Sequence, residues 1–254
     1  MTALRHATCF LFILGLCLLS QGFAEAQVQN TTQKAYKLGV QNFDYFPHYN
    51  FIDNSNDSYL EELITLFTLK TNIRLEAVPL PTKRLEYAFF ENLELDVIYP
   101  ANSRWYQSKK QDIIYSDTFI VSVAGTMVRE PGIPADKIRS VSIPFGFTPV
   151  KWIQDERTRQ VQIFGVPTAN MALQMVAANR TQAADVEFNV AQHLNIMMGH
   201  GLVLDPDLPL SFPEFQFASI KHPELIALLN AFLMENKEEI ANLKRNLNLR
   251  ESVD

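Results

Sequence analysis

Four clusters of residues have the types and spacing to hold a small charged molecule. Arg84 lies in "TKRLEYAFFEN" (82–92), a helix-like segment with Thr82 as its cap and Leu85, Ala88 and Phe89 on one stripe. A cation in a first turn faces the helix's own partial positive charge. A guanidinium there is best satisfied by an anion, which it grips bidentately as carboxylate or phosphate. Beside Lys83 it also fits an ordinary solvated face. "ANSRW" (101–105) follows a strand-like run, so Asn102, Ser103 and Arg104 offer donors at a strand's carboxyl end; the same types also build plain turns. Asp185, Glu187 and Asn189 alternate in "AADVEFNVA" (183–191) and, read as a strand, share one face, whether ligand-facing or solvated. In "SIPFGFTPVKW" (142–152) an apolar strand stops at Gly146, Thr148 is an N-cap candidate and Pro149 suits a first helical turn. Such a start leaves backbone N–H groups free to meet an anion. A capped helix with Phe147 packed inward uses the same residues.

These are groups for recognition rather than for covalent chemistry. The sequence has no G-x-S-x-G, no H-E-x-x-H and no P-loop. His6, His48, His193, His200 and His222 lack metal-like spacing, so surface or loop roles are their default, and neither metal nor cofactor is expected. The net charge of −6 comes from interspersed acidic and basic residues, with no basic patch to suggest nucleic acid.

The segments that must position these groups alternate in type. Residues 35–41, 73–80 and 94–100 read as strands separated by helices at 58–72 (capped by Ser58 or Asp57) and 82–92, the latter ended by a left-handed Asn92. This order implies a parallel sheet with right-handed crossovers. A long apolar strand at 119–128 follows, and the alternation restarts: strands around 140–144, at 161–166 and at 183–191, helices at 149–156 and at 170–180 capped by Thr168. The strand at 215–220 and two last helices, one burying Leu225, Leu228, Leu229 and Phe232 and one Ile240 and Leu243, return most simply to the first half. Chain crossings near 119–124 and 212–216 then join two lobes, with ligand expected at the carboxyl ends of their strands.

The N-terminus carries Arg5 and His6, the apolar run "CFLFILGLCLLS" (9–20) and then Ala24-Glu25-Ala26. The run is short for a bilayer span, and the small-x-small triplet is that of a signal peptidase site. Cleavage after Ala26 leaves 228 of the 254 residues and removes both cysteines, Cys9 and Cys17. An exported chain without disulfides must be stabilised by its core, and the apolar fraction of 47% suffices for one.

In its ordered set of segments the chain resembles the extracellular solute-binding proteins of family 3, the amino-acid-type periplasmic binding proteins of bacterial ABC transporters. "KLGVQNFDYFPHYNF", "LPTKRLEYAFFENLELDVIYP", "KKQDIIYSDTFIVSV", "SVSIPFGFTP" and "ANMALQMVAANRTQAADVEFNVA" carry the resemblance over nearly all of 35–250. It implies an α/β, two-lobed type II periplasmic binding fold, each lobe a mostly parallel sheet flanked by helices. Lobe 1 would comprise 34–121 and 214–250, lobe 2 122–213, and the signal peptide 1–26. Tyr45 or Phe46 then falls at the family's ligand-stacking aromatic, and Glu187 falls closest to its ammonium-binding acid. Gly146-Phe147-Thr148 falls where a helix start meets the ligand carboxylate. Arg84 matches a Lys-Arg found in some members, while Lys109 stands where the family's carboxylate-clamping Arg is usual. The implied protein is a periplasmic monomer that passes a small polar, anionic or amino-acid-like ligand to an ABC permease, without nucleic acid. Alternatives on the same fold are a cyclohexadienyl-dehydratase-like enzyme, with Glu187 and the arginines as its groups, and a ligand sensor for a signalling partner such as a histidine kinase.

Overall fold

The computed structural model describes residues 33–52, 57–158 and 160–253. The apolar run at 9–20, both cysteines and the expected cleavage site lie outside the described residues.

The chain opens with β1 (Ala35–Gln41), a short hairpin of β2 (Asp44–Tyr45) and β3 (Tyr49–Asn50), and α1 (Tyr59–Thr71). Helix α1 begins at Ser58, whose hydroxyl donates to Glu61 at 2.6 Å instead of accepting a backbone N–H. It ends at Asn72, left-handed with φ 57°. Next come β4 (Arg74–Leu80) and α2 (Thr82–Glu86), in which Thr82 is the first helical residue after Pro81 rather than the cap. A single π-type turn (Tyr87–Glu91) continues α2, with the Asn92 N–H reaching the Tyr87 carbonyl at 3.1 Å. Asn92 stays right-handed, and the left-handed residue is Leu93 at φ 55°. The wider turn carries the helix one residue further, so the reversal moves on by one.

Strands β5 (Val97–Ala101), β6 (Ile114–Tyr115), β7 (Ile120–Val121) and β8 (Ala124–Val128) follow. The continuous strand expected at 119–128 is therefore broken at Ser122 and Val123, where the chain passes from one sheet to the other. The second half contains β9 (Ser140–Pro144), α3 (Val150–Gln154), β10 (Gln162–Val166), α4 (Ala169–Ala177), β11 (Ala183–Glu187), α5 (Phe188–Met198) and β12 (Val203–Leu204). Thr168 caps α4 as its sequence predicts, accepting from the Met171 N–H at 3.1 Å. The last elements are β13 (Glu214–Ser219), α6 (Pro223–Glu235) and α7 (Lys237–Asn246).

The strands form two sheets of like order, β4-β1-β5-β13-β6 with β7 paired to β13, and β10-β9-β11-β8-β12. In each sheet three neighbouring strands pair in parallel, and the antiparallel pairings are all made by one reversed strand, β13 in the first sheet and β8 in the second. The reason is topological. The parallel strands end towards the crossing, while β8 and β13 enter their sheets from the crossing and must run the other way. The crossing is a pair of antiparallel segments: β7 pairs with Glu214 and Phe215, and Ala124 bridges Ser211. Burial follows this plan. The apolar faces of α1, α6 and α7 close over the first sheet. Trp152, fully buried, anchors the short α3 among Val128, Ile138, Val141 and Leu208.

Candidate functional site

The carboxyl ends of β1, β9 and β11 lead into the region where the two halves meet. From the first half come the aromatic hairpin, with Phe43, Tyr45, His48 and Tyr49, and the start of α2. From the second come the turn at Gly146-Phe147, Lys151 on α3, and Asp185 and Glu187 at the end of β11.

Tyr45 is buried and Phe147 stacks on it, with ring centroids 5.5 Å apart and planes within 18°. Phe43 meets the Phe147 ring edge-on at 6.0 Å and the Tyr45 ring edge-on at 5.7 Å. Offset aromatic pairs contribute about 0.5–1.5 kcal/mol beyond their buried area. Phe147, 38% exposed, thus lies at the mouth as a cover over a Tyr45 that is 4% exposed. Gly146 makes this approach possible: its φ is +90°, and a Cβ there would stand 3.4 Å from the Thr82 hydroxyl of α2. Phe46 points to the other side, its ring 4.5 Å from that of His193 on α5. Of the two candidate aromatics, Tyr45 is the one in line with Phe147 and Glu187, and both contact the second half.

Glu187 is the most heavily engaged group. It is the N-cap of α5, accepting from the Val190 N–H at 2.9 Å. It also accepts from Asn189 Nδ2 at 2.8 Å and from the Val123 N–H of the crossing at 3.2 Å. Its Oε2 lies 3.1 Å from Nε2 of His48, and both side chains are out of solvent. That contact has the distance of an ion pair without good hydrogen-bond alignment, and His48 Nδ1 has no partner among the described residues. Burial alone would raise the Glu187 carboxyl; the His48 charge and the donated hydrogen bonds outweigh it and hold the group below the usual carboxylate range. Burial, and then the nearby Glu187, push the Tyr45 phenol well above its ordinary range.

Asp185 is also taken up within the protein. Lys151 Nζ is 2.7 Å from its carboxylate and donates to the Ala124 carbonyl at 2.6 Å. Burial raises the Asp185 carboxyl and lowers the Lys151 amine, so desolvation exceeds the mutual attraction for each. Asn189 is not on the strand. The strand ends at Glu187, and Asn189, buried in the first turn of α5, exchanges two hydrogen bonds with the Arg250 backbone near the C-terminus, at 2.8 and 3.0 Å. The apolar residues Phe188, Val190 and Ala191 fit both a strand and a helix, and the Glu187 cap decides for the helix.

The remaining sequence-derived candidates are more peripheral. Arg84 and Arg104 are exposed and have no ion-pair partner among the described residues. Ser103 is exposed beside Arg104. Asn102 is buried: its amide donates to the Glu214 carbonyl at 2.8 Å and its oxygen accepts from the Arg104 N–H at 2.9 Å, so it fixes this loop to β13. Thr148 is exposed and does not cap α3; Pro149 holds the cap position without a side-chain bond, and the Thr148 carbonyl accepts from Val150. With a proline in the cap position, the first N–H groups meet backbone carbonyls instead of a hydroxyl. Lys109 pairs with Glu86 at 3.5 Å and lies over Phe90.

Sequence reasoning missed His48, Lys151 and Phe43. A histidine directly after the aromatic-Pro pair that the resemblance placed at the ligand was the available signal. A cavity of about 370 Å³, lined by Arg129, Glu130, Ile133, Val176, Asn179, Thr181 and Gln182, opens on the second half alone and shares none of these groups. Its lining has no buried charged side chain and no aromatic ring. No group of residues suited to a metal ion occurs among the described residues, and no helix among them is long and apolar enough to cross a membrane.

No protein-family model matches the chain, and no curated protein matches it in sequence. Solved structures do. The periplasmic VFT2 domain of Bordetella pertussis BvgS is 20% identical, with a TM-score of 0.68 over 85% of this chain and 94% of that one. An ancestral amino acid-binding protein, a precursor of cyclohexadienyl dehydratase, is 16% identical, with a TM-score of 0.66 over 84% of this chain and 95% of that one. The substrate binding protein of an amino acid ABC transporter is 14% identical, with a TM-score of 0.66 over 85% of this chain and 100% of that one. At such identities the likeness is one of fold: an α/β, two-lobed type II periplasmic binding fold.

Proposed function

We propose that the chain is an extracytoplasmic solute-binding protein, monomeric and without cofactor, that captures a small polar ligand between its lobes for an ABC-type permease. The observation that carries this reading is the convergence of Tyr45 and His48 from one lobe with Phe147, Asp185 and Glu187 from the other at the carboxyl ends of parallel strands, the place where open α/β sheets bind ligands. The ligand class is anionic or amino-acid-like. Tyr45 and Phe147 offer ring faces and Glu187 a carboxylate for an ammonium, while Phe46 packs against His193. Arg84, Arg104, Ser103 and Thr148 offer donors for a carboxylate from the rim, with Asn102 holding the loop that carries Ser103 and Arg104. Closure of the lobes follows from differential affinity for the closed form.

Binding rather than catalysis is favoured because Glu187, the carboxylate most like an acid–base group, is already engaged by His48, Asn189 and two backbone N–H groups. A ligand sensor for a signalling partner is the second reading, supported by the likeness to the BvgS periplasmic domain. Both need a ligand. A thermal-shift screen of amino acids and small carboxylates tests it: a compound at a hundred times its Kd raises the Tm by roughly 5–10 °C. Replacing Arg84 and Arg104 together by Ala weakens an anionic hit by about tenfold or more. Unchanged affinity in that double variant removes both arginines from the site, and a screen with no hit counts against solute capture.

A further inference from the structure

The buried groups that a solute would use at the junction, the Tyr45 ring and the Glu187 and Asp185 carboxylates, are already occupied by the protein. The Tyr45 face is covered by Phe147. The Glu187 carboxylate faces the only buried imidazole among the described residues, His48, from the opposite lobe. Asp185 is matched by Lys151. The C-terminal segment adds two further ties. Arg250 exchanges backbone hydrogen bonds with Asn189, whose amide also donates to Glu187. Glu251 accepts from the Val121 N–H of the crossing at 2.8 Å and pairs with Lys244. Glu187 is therefore the node that joins β11, α5, the crossing at Val123 and the aromatic hairpin of the other lobe.

We propose that the lobes of this chain rest closed without ligand, latched by the buried His48–Glu187 pair and the Tyr45–Phe147 stack, so that a ligand is admitted only when it displaces Phe147 and takes over the contact of His48 with Glu187. This rests on the solute-binding reading above and adds its regulation. The energetics favour a latch over a passive contact. The Glu187 carboxylate and the His48 imidazole lie 3.1 Å apart without solvent access, and removing His48 leaves the carboxylate buried without that partner. Opening breaks the His48 contact with Glu187 and unstacks the Tyr45 and Phe147 rings, so the open form is the minor one. A ligand's apparent affinity is then reduced by the fraction of molecules that are open. Tyr45 and Tyr49 are the titratable groups that feel Glu187, Tyr45 also feels Asp185, and the Lys151 ammonium is held by Asp185 and the Ala124 carbonyl.

The test is small-angle scattering of the purified protein after unfolding and refolding, which strips any retained ligand. A compact chain of this size has a radius of gyration of about 17 Å. The wild type is expected at that value without ligand. Glu187→Gln keeps the shape of the side chain but loses its charge and one of its two acceptor oxygens, and Phe147→Ala removes only the cover. Each is expected to expand the molecule by roughly 1 Å, as hinge opening does, with an unchanged circular dichroism spectrum. His48→Ala should match them; if it fails to fold, the other two variants carry the test. A wild type that scatters as expanded and contracts with a compound from the thermal screen overturns the latch and leaves solute binding intact. Equal compactness of wild type and both variants overturns the assigned roles of Glu187 and Phe147. A compact wild type, expanded variants and no binding compound would uphold the latch while contradicting solute capture.

Discussion

At the scale of single residues, Glu187 and His48 set the behaviour of the junction. Glu187 titrates below the ordinary carboxylate range in the folded chain, with burial opposing and His48 and the hydrogen bonds prevailing. A depressed acid contributes stability above its unfolded pKa and loses that contribution as pH falls through its folded value. Wild-type stability should therefore drop below about pH 4.3, more steeply than that of Glu187→Gln. Asp185 acts in the opposite sense, because its raised carboxyl favours protonation in the folded state. The comparison with Glu187→Gln, rather than the wild-type curve alone, isolates the effect. Parallel pH–melting curves for the two proteins would contradict it. His48→Ala strands a buried carboxylate, a change that costs about 3–5 kcal/mol where no other donors remain. The three further donors to Glu187 place the expected loss at the lower end, read by chemical denaturation at pH 7. Glu187 was legible in the sequence as a candidate. Its engagement was not, because its partner lies on the other side of the chain fold at a position that reads by default as a surface histidine.

At the scale of elements, α3 and α5 show what positions the site. Helix α3 has five residues and no side-chain cap. What holds it is Trp152, fully buried, with Lys151 tied to Asp185 and Ala124. Trp152→Ala should cost about 3–5 kcal/mol and release the 145–151 segment; faster hydrogen exchange there is the readout. A loss below about 1 kcal/mol would show that the turn at Gly146 holds itself. Gly146→Ala places a side chain at φ +90° against Thr82, and a loss of about 1–2 kcal/mol is expected. The strands at β1, β4, β9 and β10 were legible from apolar alternation and their flanking turns. Helix α5 was not. Its apolar residues satisfy the strand period over 183–191 as well as the helical one, and only the cap at Glu187, a three-dimensional bond, separates them. The break between β7 and β8 was hidden for a similar reason: an unbroken apolar run does not record the point where it leaves one sheet for another.

At the scale of the whole molecule, two sheets of the same strand order are joined by a paired crossing at 120–124 and 211–215. The repeat of strand–helix alternation made this plan legible, since each half repeats the same order of β and α segments. The reversed strands β8 and β13 were less so, because strand direction depends on the side from which the chain enters. Ligand capture is proposed at the junction and not in the cavity beside Arg129 and Thr181. The most direct measurement is hydrogen–deuterium exchange with and without a compound that raises the melting temperature. The account predicts that exchange falls together at Phe43–Asn50 in one lobe and at Gly146–Lys151 and Glu187–Val190 in the other. Protection confined to the residues around Arg129, Asn179 and Thr181, or to one lobe, would contradict it.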